Sequence, residues 1–560
     1  MSKAYYDELI GTLKKKKLSK EQISKLKVKL CSKHKLKQPP TDIEVMMQAD
    51  EKDLKILQKQ LTTKPTRSVS GVSVVALMTK PIKCPHGKCV YCPGGPGSVF
   101  GDVPMSYTGK EPSTMRGKRN NYDPYLMVFN RLEQYVVMGH SCDKVELIIQ
   151  GGTFPSFPKA YQEDFVKYAF KALNDFGELF FSKGRLDIIK FKRFFELPGK
   201  VGSKKRTRAI QKRILELKGR TTLRREHERN EKAMIRCVGL TIETRPDYGR
   251  ARHGLEMLRL GATRVELGIQ TTNDKILEKV NRGHTVKESV DSIRELRDLG
   301  FKLNFHVMPG LPGSTKKSDI MMLREMFINQ DYRPDMLKIY PTMVMPGTGL
   351  HEMYKRGEYE PLSTMDAAEI IVSAKKFFPE YVRVMRIQRD IPTNIVSAGV
   401  KMTNLRQYVH DMMKKMGIKC RCIRCREPGR TKNIGQVKIY VQEYMASKGL
   451  EFFISAEDKK NDIILGFCRM RFPYKSLHRA ITMKTALIRE LHVYGTAAQI
   501  GRKGSIQHRG YGKKLLRKAE EIAKKHGMNK VVVISGVGVR EYYYKLGYKK
   551  ESCYVSKRLA

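Results

Sequence analysis

A repeated order of strand, loop and helix between residues 70 and 340 most strongly limits the fold of this 560-residue chain. Six short apolar runs have the length and β-branched composition of buried strands, and helix-compatible segments separate them. The runs cover residues 72–78, 145–150, 238–242, 265–270, 303–308 and 337–340. Because strands joined through helices pair in parallel, six such units predict an α/β fold with a partial (β/α)6 barrel. In such barrels the reactive residues gather at the C-terminal strand ends.

Three further segments surround the barrel. Residues 1–66 include eleven lysines between positions 11 and 37, opposed only by Glu21, and predict a basic helical extension that binds nucleic acid. Residues 67–389 form the barrel, with a basic insertion at about 183–230 that holds seventeen Lys or Arg against five acids. Residues 390–432 are a linker with a cysteine cluster. Residues 433–560 alternate strands and helices on a compact scale, as a separate domain does.

The charge balance indicates a polyanionic partner. Lys and Arg number 108 against 57 Asp and Glu, which gives a net charge of +51. Nucleic acid is the leading partner and a membrane surface the second. No apolar run is long enough to span a bilayer, and six of the eleven cysteines form two tight clusters. We therefore expect a cytoplasmic protein that ligates metal in a reducing compartment and does not depend on disulfides.

The first cysteine cluster follows the first predicted strand. Cys84, Cys89 and Cys92 lie within nine residues and can hold three irons of a [4Fe–4S] cluster, leaving the fourth iron open. A zinc knot is the alternative, but it needs a fourth ligand, and the nearby sequence offers only His86, which lies within the loop itself. The segment resembles the radical S-adenosylmethionine (SAM) family, which usually places three residues between the first two cysteines, where this chain has four.

Other candidate residues lie at the ends of later strands. Gly151 and Gly152 follow the second run and resemble the glycine pair that lets backbone groups approach the methionine part of SAM. Polar residues mark the ends of the third, fourth and fifth runs, and their shared placement predicts one site: Glu243, Arg245, Asp247, Glu266, Gln270 and His306.

The C-terminal domain carries a glycine motif in front of a helix. Gln507-His-Arg-Gly510-Tyr-Gly512 resembles motif A of GNAT acetyltransferases, in which the helix N-terminus binds the pyrophosphate of acetyl-CoA. A Tyr near the thioester sulfur is the usual acid in that family, which suggests Tyr543. Glu490 is a candidate for polarising a water or orienting the substrate. The predicted cofactor-binding residues are Glu490, Leu491, His492, Val493, Gln507, Gly510, Tyr511, Gly512, Lys513 and Tyr543.

Together the two domains resemble the family of Elongator catalytic subunits, most closely an archaeal stand-alone form. The resemblance runs from about residue 68 to the C-terminus and is strongest at residues 84–95, 116–125, 243–247, 388–392 and 489–495. It implies modification of the wobble uridine of tRNA. A SAM-derived radical takes a hydrogen from the methyl of acetyl-CoA, the carbon adds to uridine C5, and hydrolysis leaves a carboxymethyl-type group. It also implies that Lys144 contacts CoA and that Lys338 and Tyr340 lie near the radical pocket.

The second cysteine cluster predicts a zinc site. Cys420, Cys422 and Cys425 offer three thiolates, and His410 is the nearest candidate for a fourth ligand. The resemblance implies that this metal stabilises the domain junction and takes no part in the chemistry.

Two other functions are compatible with parts of the chain. One is a protein lysine acetyltransferase with a structural iron–sulfur cluster, but the positive charge would repel basic protein tails. The other is a non-catalytic RNA-binding platform. The complete first cysteine cluster and the complete glycine motif argue against it, because a protein without catalysis would need neither.

We expect the anticodon stem-loop of tRNA to bind basic stretches at 116–119, 383–389 and 421–430. We expect no accessory Elongator-type subunits in the source organism.

Overall fold

The computed structural model describes residues 3–63, 71–199, 202–429, 434–494 and 510–559. Among these residues, no helix has both the length and the apolar character needed to cross a bilayer. The N-terminal extension is a bundle of four short helices with its own apolar core, in which Tyr5, Leu9 and Leu57 are fully buried. Ser19 and Thr41 begin the second and third helices with capping boxes. The helices are α1 Lys3–Lys15, α2 Lys20–Lys33, α3 Asp42–Gln48 and α4 Glu51–Leu61.

The second unit is an open parallel barrel. Its strands and two small hairpins are β1 Ser73–Met78, β2 Gly95–Ser98, β3 Gly101–Val103, β4 Lys144–Gln150, β5 Phe181–Ser182, β6 Arg185–Leu186, β7 Arg236–Thr244, β8 Arg264–Gln270, β9 Lys302–Val307, β10 Met336–Ile339 and β11 Arg383–Arg386. Seven of them pair in parallel in the order β1-β4-β7-β8-β9-β10-β11. All six predicted runs are strands, which confirms the predicted fold class, and β11 adds a seventh.

Twelve α-helices of the described chain complete this unit, most of them packed on the outer face of the strands. They are α5 Pro112–Arg119, α6 Pro124–Val137, α7 Lys159–Phe180, α8 Ile188–Phe194, α9 Lys204–Glu216, α10 Leu223–Lys232, α11 Ala251–Arg259, α12 Asp274–Lys279, α13 Val286–Asp298, α14 Lys316–Ile328, α15 Gly349–Lys355 and α16 Thr364–Lys375. Successive side chains of a strand point to opposite faces. Val145, Leu147 and Ile149 of β4 are therefore fully buried in the core with the helices, while Lys144, Glu146 and Gln150 face the barrel interior.

The basic insertion consists of α8, α9 and α10. Phe191 and Phe195 anchor it by packing against Phe176 and Phe180 of α7. Several of its cations are paired with carboxylates, as Arg206 is with Glu133. The insertion is thus a packed part of the barrel domain, and its role as a nucleic-acid surface stays a prediction.

The linker and the C-terminal domain complete the chain. Their elements are α17 Leu405–Lys415, α18 Ile423–Arg426, β12 Lys438–Ala446, β13 Gly449–Asp458, β14 Ile463–Phe472, β15 Thr485–Val493, α19 Tyr511–Lys525, β16 Lys530–Val533, α20 Arg540–Tyr544, β17 Lys549–Glu551 and β18 Tyr554–Arg558. One sheet has the order β12-β13-β14-β15-β16-β18-β17. Neighbouring strands of this sheet are antiparallel except β15 and β16, which run parallel. The end of β15 lies next to the start of α19.

The C-terminal domain packs against the N-terminal ends of the barrel strands. Asp335, just before β10, forms an ion pair with Arg489 of β15 at 2.7 Å. Asp298 pairs with Arg471 of β14 at the same distance. A buried charge is stable only with a partner, so these pairs fix how the domains dock. Four arginine side chains in this region are fully buried: Arg297, Arg469, Arg471 and Arg489.

Candidate active site

The loop after β1 gathers the first three cysteines. Cys89 and Cys92 are buried and Cys84 is half-buried. The backbone N–H of Ser106 donates to Cys92 Sγ at 3.3 Å, and Thr153 Oγ1 lies 3.6 Å from Cys84 Sγ. Burial raises the pKa of the Cys84 and Cys92 thiols, so in the absence of a metal they hold their protons.

The spacing of these thiols fits an iron–sulfur cluster. A single tetrahedral zinc, with Zn–S bonds of about 2.3 Å, requires sulfur atoms about 3.8 Å apart. The sulfur atoms of Cys84, Cys89 and Cys92 do not all lie within 4.8 Å of one another, whereas those of the second cysteine cluster do. The wider spacing leaves room for the larger [4Fe–4S] core.

Gly151 and Gly152 leave the backbone open beside this loop. Both follow β4 with positive φ, +123° and +118°, which L side chains rarely adopt. A Cβ on Gly151 would collide with Thr79 Oγ1, and one on Gly152 would lie 3.8 Å from Cys84 Sγ. Because neither residue has a side chain, both can adopt this conformation and leave the backbone accessible beside Cys84, as the predicted contact with SAM requires.

A buried carboxylate organises the polar residues inside the barrel. Glu266 Oε2 accepts a hydrogen bond from Lys338 Nζ and lies 2.8 Å from His306 Nε2, while Oε1 accepts from Asn304 Nδ2 at 3.1 Å. Burial opposes the charge on Glu266, but Lys338 and His306 outweigh it and hold the pKa of the carboxyl well below its usual range. Burial likewise opposes the charge on Lys338, yet Glu266 raises the pKa of the ammonium. Lys338 therefore stays protonated.

The same cluster reaches the C-terminal strand ends. Tyr340 follows β10 and packs its ring 5.5 Å from that of His306. Glu243, at the end of β7, accepts from Gln150 Nε2 at 3.1 Å and from the Tyr107 hydroxyl at 3.2 Å. Of the six strand-end residues predicted to share a site, Glu243, Glu266 and His306 are thus brought together, whereas Arg245 pairs with Asp247.

The polar interior continues to the opposite end of the barrel. Glu146 Oε1 accepts from Thr241 Oγ1 at 3.1 Å and pairs with Arg264 at 2.8 Å. Arg264 also lies 3.4 Å from Glu266, and Lys144 begins β4 on the same face as Glu146. Seven strand residues span about 20 Å, so polar side chains line the barrel from its N-terminal to its C-terminal end. Thr241, Arg264 and Asn304 were not predicted as site residues, although each alternates with apolar residues along its strand.

The predicted CoA motif lies at the end of β15. Gly510 has φ of +86° and begins α19, which offers the backbone N–H groups of Tyr511, Gly512 and Lys513. A Cβ on Gly512 would lie 2.9 Å from the Tyr542 hydroxyl. Gln507 falls outside the described residues. Leu491, His492 and Val493 are the last three residues of β15, and the described part of the chain continues from them only to Tyr494 before it resumes at Gly510.

The two predicted catalytic residues of this domain occupy different surroundings. Glu490 Oε2 accepts from Arg469 Nε at 2.9 Å, and its pKa is lowered because Lys302 and Arg469 outweigh the effect of burial. Tyr543 is buried between the rings of Tyr542 and Tyr548. The hydroxyl that approaches Gly512 belongs to Tyr542, whereas the residue predicted as the acid is its neighbour Tyr543. The roles of Glu490 and Tyr543 stay predictions.

The second cysteine cluster lies where the linker meets the barrel. The sulfur atoms of Cys420, Cys422 and Cys425 all lie within 4.8 Å of one another, which suits a single ion. Lys375 Nζ is 4.0 Å from Cys425 Sγ. His410 is exposed on α17, close enough to Cys422 for their charges to interact. The three thiols fit zinc, but no ring nitrogen of His410 lies within 4.8 Å of all three sulfur atoms, so His410 as the fourth ligand stays a prediction.

Comparison with known proteins assigns both halves of the chain. Residues 205–326 match the Radical SAM superfamily, residues 334–415 the Radical_SAM C-terminal domain and residues 422–548 the Acetyltransferase (GNAT) family. Radical SAM proteins use a [4Fe–4S] cluster and SAM, and GNAT proteins use acetyl-CoA.

Relatives cover almost the whole chain. The tRNA uridine(34) acetyltransferase of Methanocaldococcus jannaschii is 45% identical over 98% of this chain and 95% of its own. Elongator complex protein 3 of Saccharomyces cerevisiae is 39% identical over 95% of this chain and 91% of its own. The solved structure of Methanocaldococcus infernus Elp3 lacking residues 1–46 superposes with a TM-score of 0.72 at 39% identity, covering 88% of this chain and all of that one. The chain therefore belongs to the family of archaeal tRNA uridine(34) acetyltransferases and Elongator complex protein 3, which joins a radical SAM domain to a GNAT domain.

Proposed function

We propose that this enzyme builds a carboxymethyl-type group on C5 of the wobble uridine in the tRNA anticodon, with acetyl-CoA as the carbon donor and SAM as the radical source. The names of its relatives support the tRNA uridine substrate. The two domains support the two cofactors. The reaction needs both, because an acetyl donor alone does not attack a ring carbon and a radical site alone supplies no acetyl group.

The polar barrel interior carries this proposal. It connects Gln150 and Glu243, beside the cysteine loop, with Lys144 and Arg264 at the end where the GNAT domain docks. Barrel interiors are ordinarily packed with branched apolar side chains. A row of charged and amide groups across about 20 Å is the lining expected of a passage for a polar acyl-pantetheine arm.

We assign the residues of this passage separate tasks. When bound, the cluster and SAM would supply the radical that removes a hydrogen from the acetyl methyl. Lys338, held protonated by Glu266, offers N–H donors to the carbonyl oxygen of the acetyl group. Tyr340 and His306 shield the same space from water. Lys144 binds the CoA arm at the N-terminal end of the barrel.

The GNAT end of the passage completes the binding of the donor. We assign the pyrophosphate of acetyl-CoA to the N-terminus of α19, with Gly510 and Gly512 allowing close approach. Tyr543 is proposed as the acid for the CoA thiolate and Glu490 as a group that orients water. Zinc held by the second cysteine cluster and His410 would stabilise the junction beside this end.

The basic surfaces are assigned to tRNA. The helices of residues 1–66, the insertion at 183–230 and the segments 116–119, 383–389 and 421–430 would contact phosphates of the anticodon stem-loop, while the extruded wobble base enters the barrel. We expect a cytoplasmic enzyme that acts without accessory subunits.

The test is product analysis under anaerobic conditions. Reconstituted protein is incubated with tRNA, SAM, acetyl-CoA and a reductant, and digested nucleosides are measured by mass spectrometry. We expect a carboxymethyl-type uridine that is absent with Cys89→Ala and reduced at least tenfold with Lys338→Met. Lys316→Met, which alters an exposed lysine paired with Asp366 and Glu369, is the matched control. Acetylation of a protein lysine that persists in Cys89→Ala, without any uridine product, would instead favour the lysine acetyltransferase function.

A further inference from the structure

The segment between α12 and α13, residues 280–284, cradles the cysteine loop. The N–H of Val90 donates to the carbonyl of Val280 at 3.1 Å, and Asn281 Nδ2 donates to the carbonyl of Lys88 at 2.9 Å. Gly283 has φ of +71°, and a Cβ there would lie 2.5 Å from His86 Cβ. These contacts join two parts of the chain that are about 190 positions apart, so the segment is built to hold this loop.

Arg282 projects from this segment toward the middle cysteine. Its Nη1 lies 3.7 Å from Cys89 Sγ, and its Nη2 donates to the Gly268 carbonyl of β8 at 2.8 Å. A Cβ on Gly268 would collide with the guanidinium, so the glycine makes room for it. The side chain is only 8% exposed.

In the part of the chain that the structure describes, no carboxylate pairs with the charge of Arg282. Among the described residues its strongest electrostatic partners are Tyr91, Cys89 and Cys84, and it forms no ion pair with an acid. Its Nε is buried without a hydrogen-bond partner. Arg245, the next buried arginine at this site, is by contrast neutralised by Asp247. A buried, unpaired cation is costly, so the position of Arg282 indicates an anion that binds beside Cys89.

We propose that Arg282 is the counter-ion of the iron–sulfur cluster, positioning Cys89 and raising the reduction potential of the cluster. A [4Fe–4S]²⁺ core with three thiolates carries a charge of −1, and one-electron reduction makes it −2. A nearby fixed positive charge stabilises the more negative state more strongly. The proposal rests on the radical SAM assignment and is independent of what the enzyme does to tRNA.

The experiment compares three variants of the full-length protein, each reconstituted anaerobically. Arg282→Gln removes the charge, Arg282→Lys keeps it, and Arg250→Gln is a control in which the lost guanidinium pairs with Glu295. Iron and sulfide content is measured first. The cluster is then titrated with dithionite in the presence of mediators and followed by electron paramagnetic resonance, without tRNA or acetyl-CoA.

We expect the reduction equilibrium of Arg282→Gln to fall at least tenfold, a midpoint about 59 mV more negative for a one-electron couple. Arg282→Lys should stay between Arg282→Gln and the wild type, and Arg250→Gln should match the wild type. If Arg282→Gln does not take up a cluster, uptake by Arg282→Lys supports the proposal and equal failure overturns it. A fully loaded Arg282→Gln with an unchanged midpoint also overturns it. These readouts hold even if no uridine product is ever found.

Discussion

Removing the carboxylate of Asp335 is the sharpest test of how the two domains are held together. Asp335 is fully buried and receives two hydrogen bonds of 2.7 Å from Arg489. In Asp335→Asn the charge is lost and the new amide N–H₂ faces arginine N–H groups. Breaking one side of a buried ion pair costs about 3–5 kcal/mol. Arg489 retains Glu451 at 2.8 Å, so we expect the lower end of this range, about 3 kcal/mol.

Equilibrium unfolding in urea, followed by far-ultraviolet circular dichroism and tyrosine fluorescence, measures this loss. We expect the GNAT domain of Asp335→Asn to unfold at a lower urea concentration than the barrel, because the ion pairs that couple them are weakened. Glu358→Gln, which breaks an exposed pair with Arg356, should leave the transition unchanged. A wild-type midpoint for Asp335→Asn would refute the reasoning that this ion pair couples the domains.

Three further predictions concern separate parts of the molecule. Gly152→Ala places a Cβ 3.2 Å from Met105 Cβ at φ +118°, so we expect at least tenfold weaker SAM binding by calorimetry with the cluster content retained. Burial lowers the pKa of His227 to about 3 from 6.5, so the folded state stays neutral while the unfolded state is protonated. The free energy of unfolding therefore decreases as the pH falls from 6.5 toward 3, by about 2 kcal/mol at pH 5. This decrease should be absent from His227→Gln when its unfolding in urea is measured at the same pH values. Cys425→Ala should lose the bound zinc measured by mass spectrometry, while Cys142→Ala, at a buried cysteine elsewhere, keeps it; equal zinc in both would contradict the assignment.

The strands that the sequence predicts are short, mainly apolar segments with no more than two charged or polar residues each, followed by a loop and a helix. β11 escaped prediction because it has four residues and begins and ends with arginine. β13 escaped because it contains Glu451, Glu457 and Asp458, charges typical of an exposed segment. All three carboxylates are buried, and Glu451 and Glu457 pair with arginines of other segments.

The same limit applies to the site. The cysteine clusters and glycine motifs can be predicted from the sequence because the residues of each lie within a few positions of one another. Arg282 approaches Cys89 from 193 positions away, and Asp335 meets Arg489 across 154, so no local pattern marks either contact. Such residues are recognisable only when the folded chain shows that a charge has been buried and which group offsets it.

The docking of the GNAT domain on the N-terminal end of the barrel also bears on the order of substrate binding. The cysteine loop and Gly152 lie at one end of the strands, and Arg489 meets the barrel at the other. Two ligands that bind at opposite ends of the strands do not displace each other. Under the proposed function, spent CoA can be exchanged while the tRNA stays in place, and the same reactive assembly forms whichever substrate binds first.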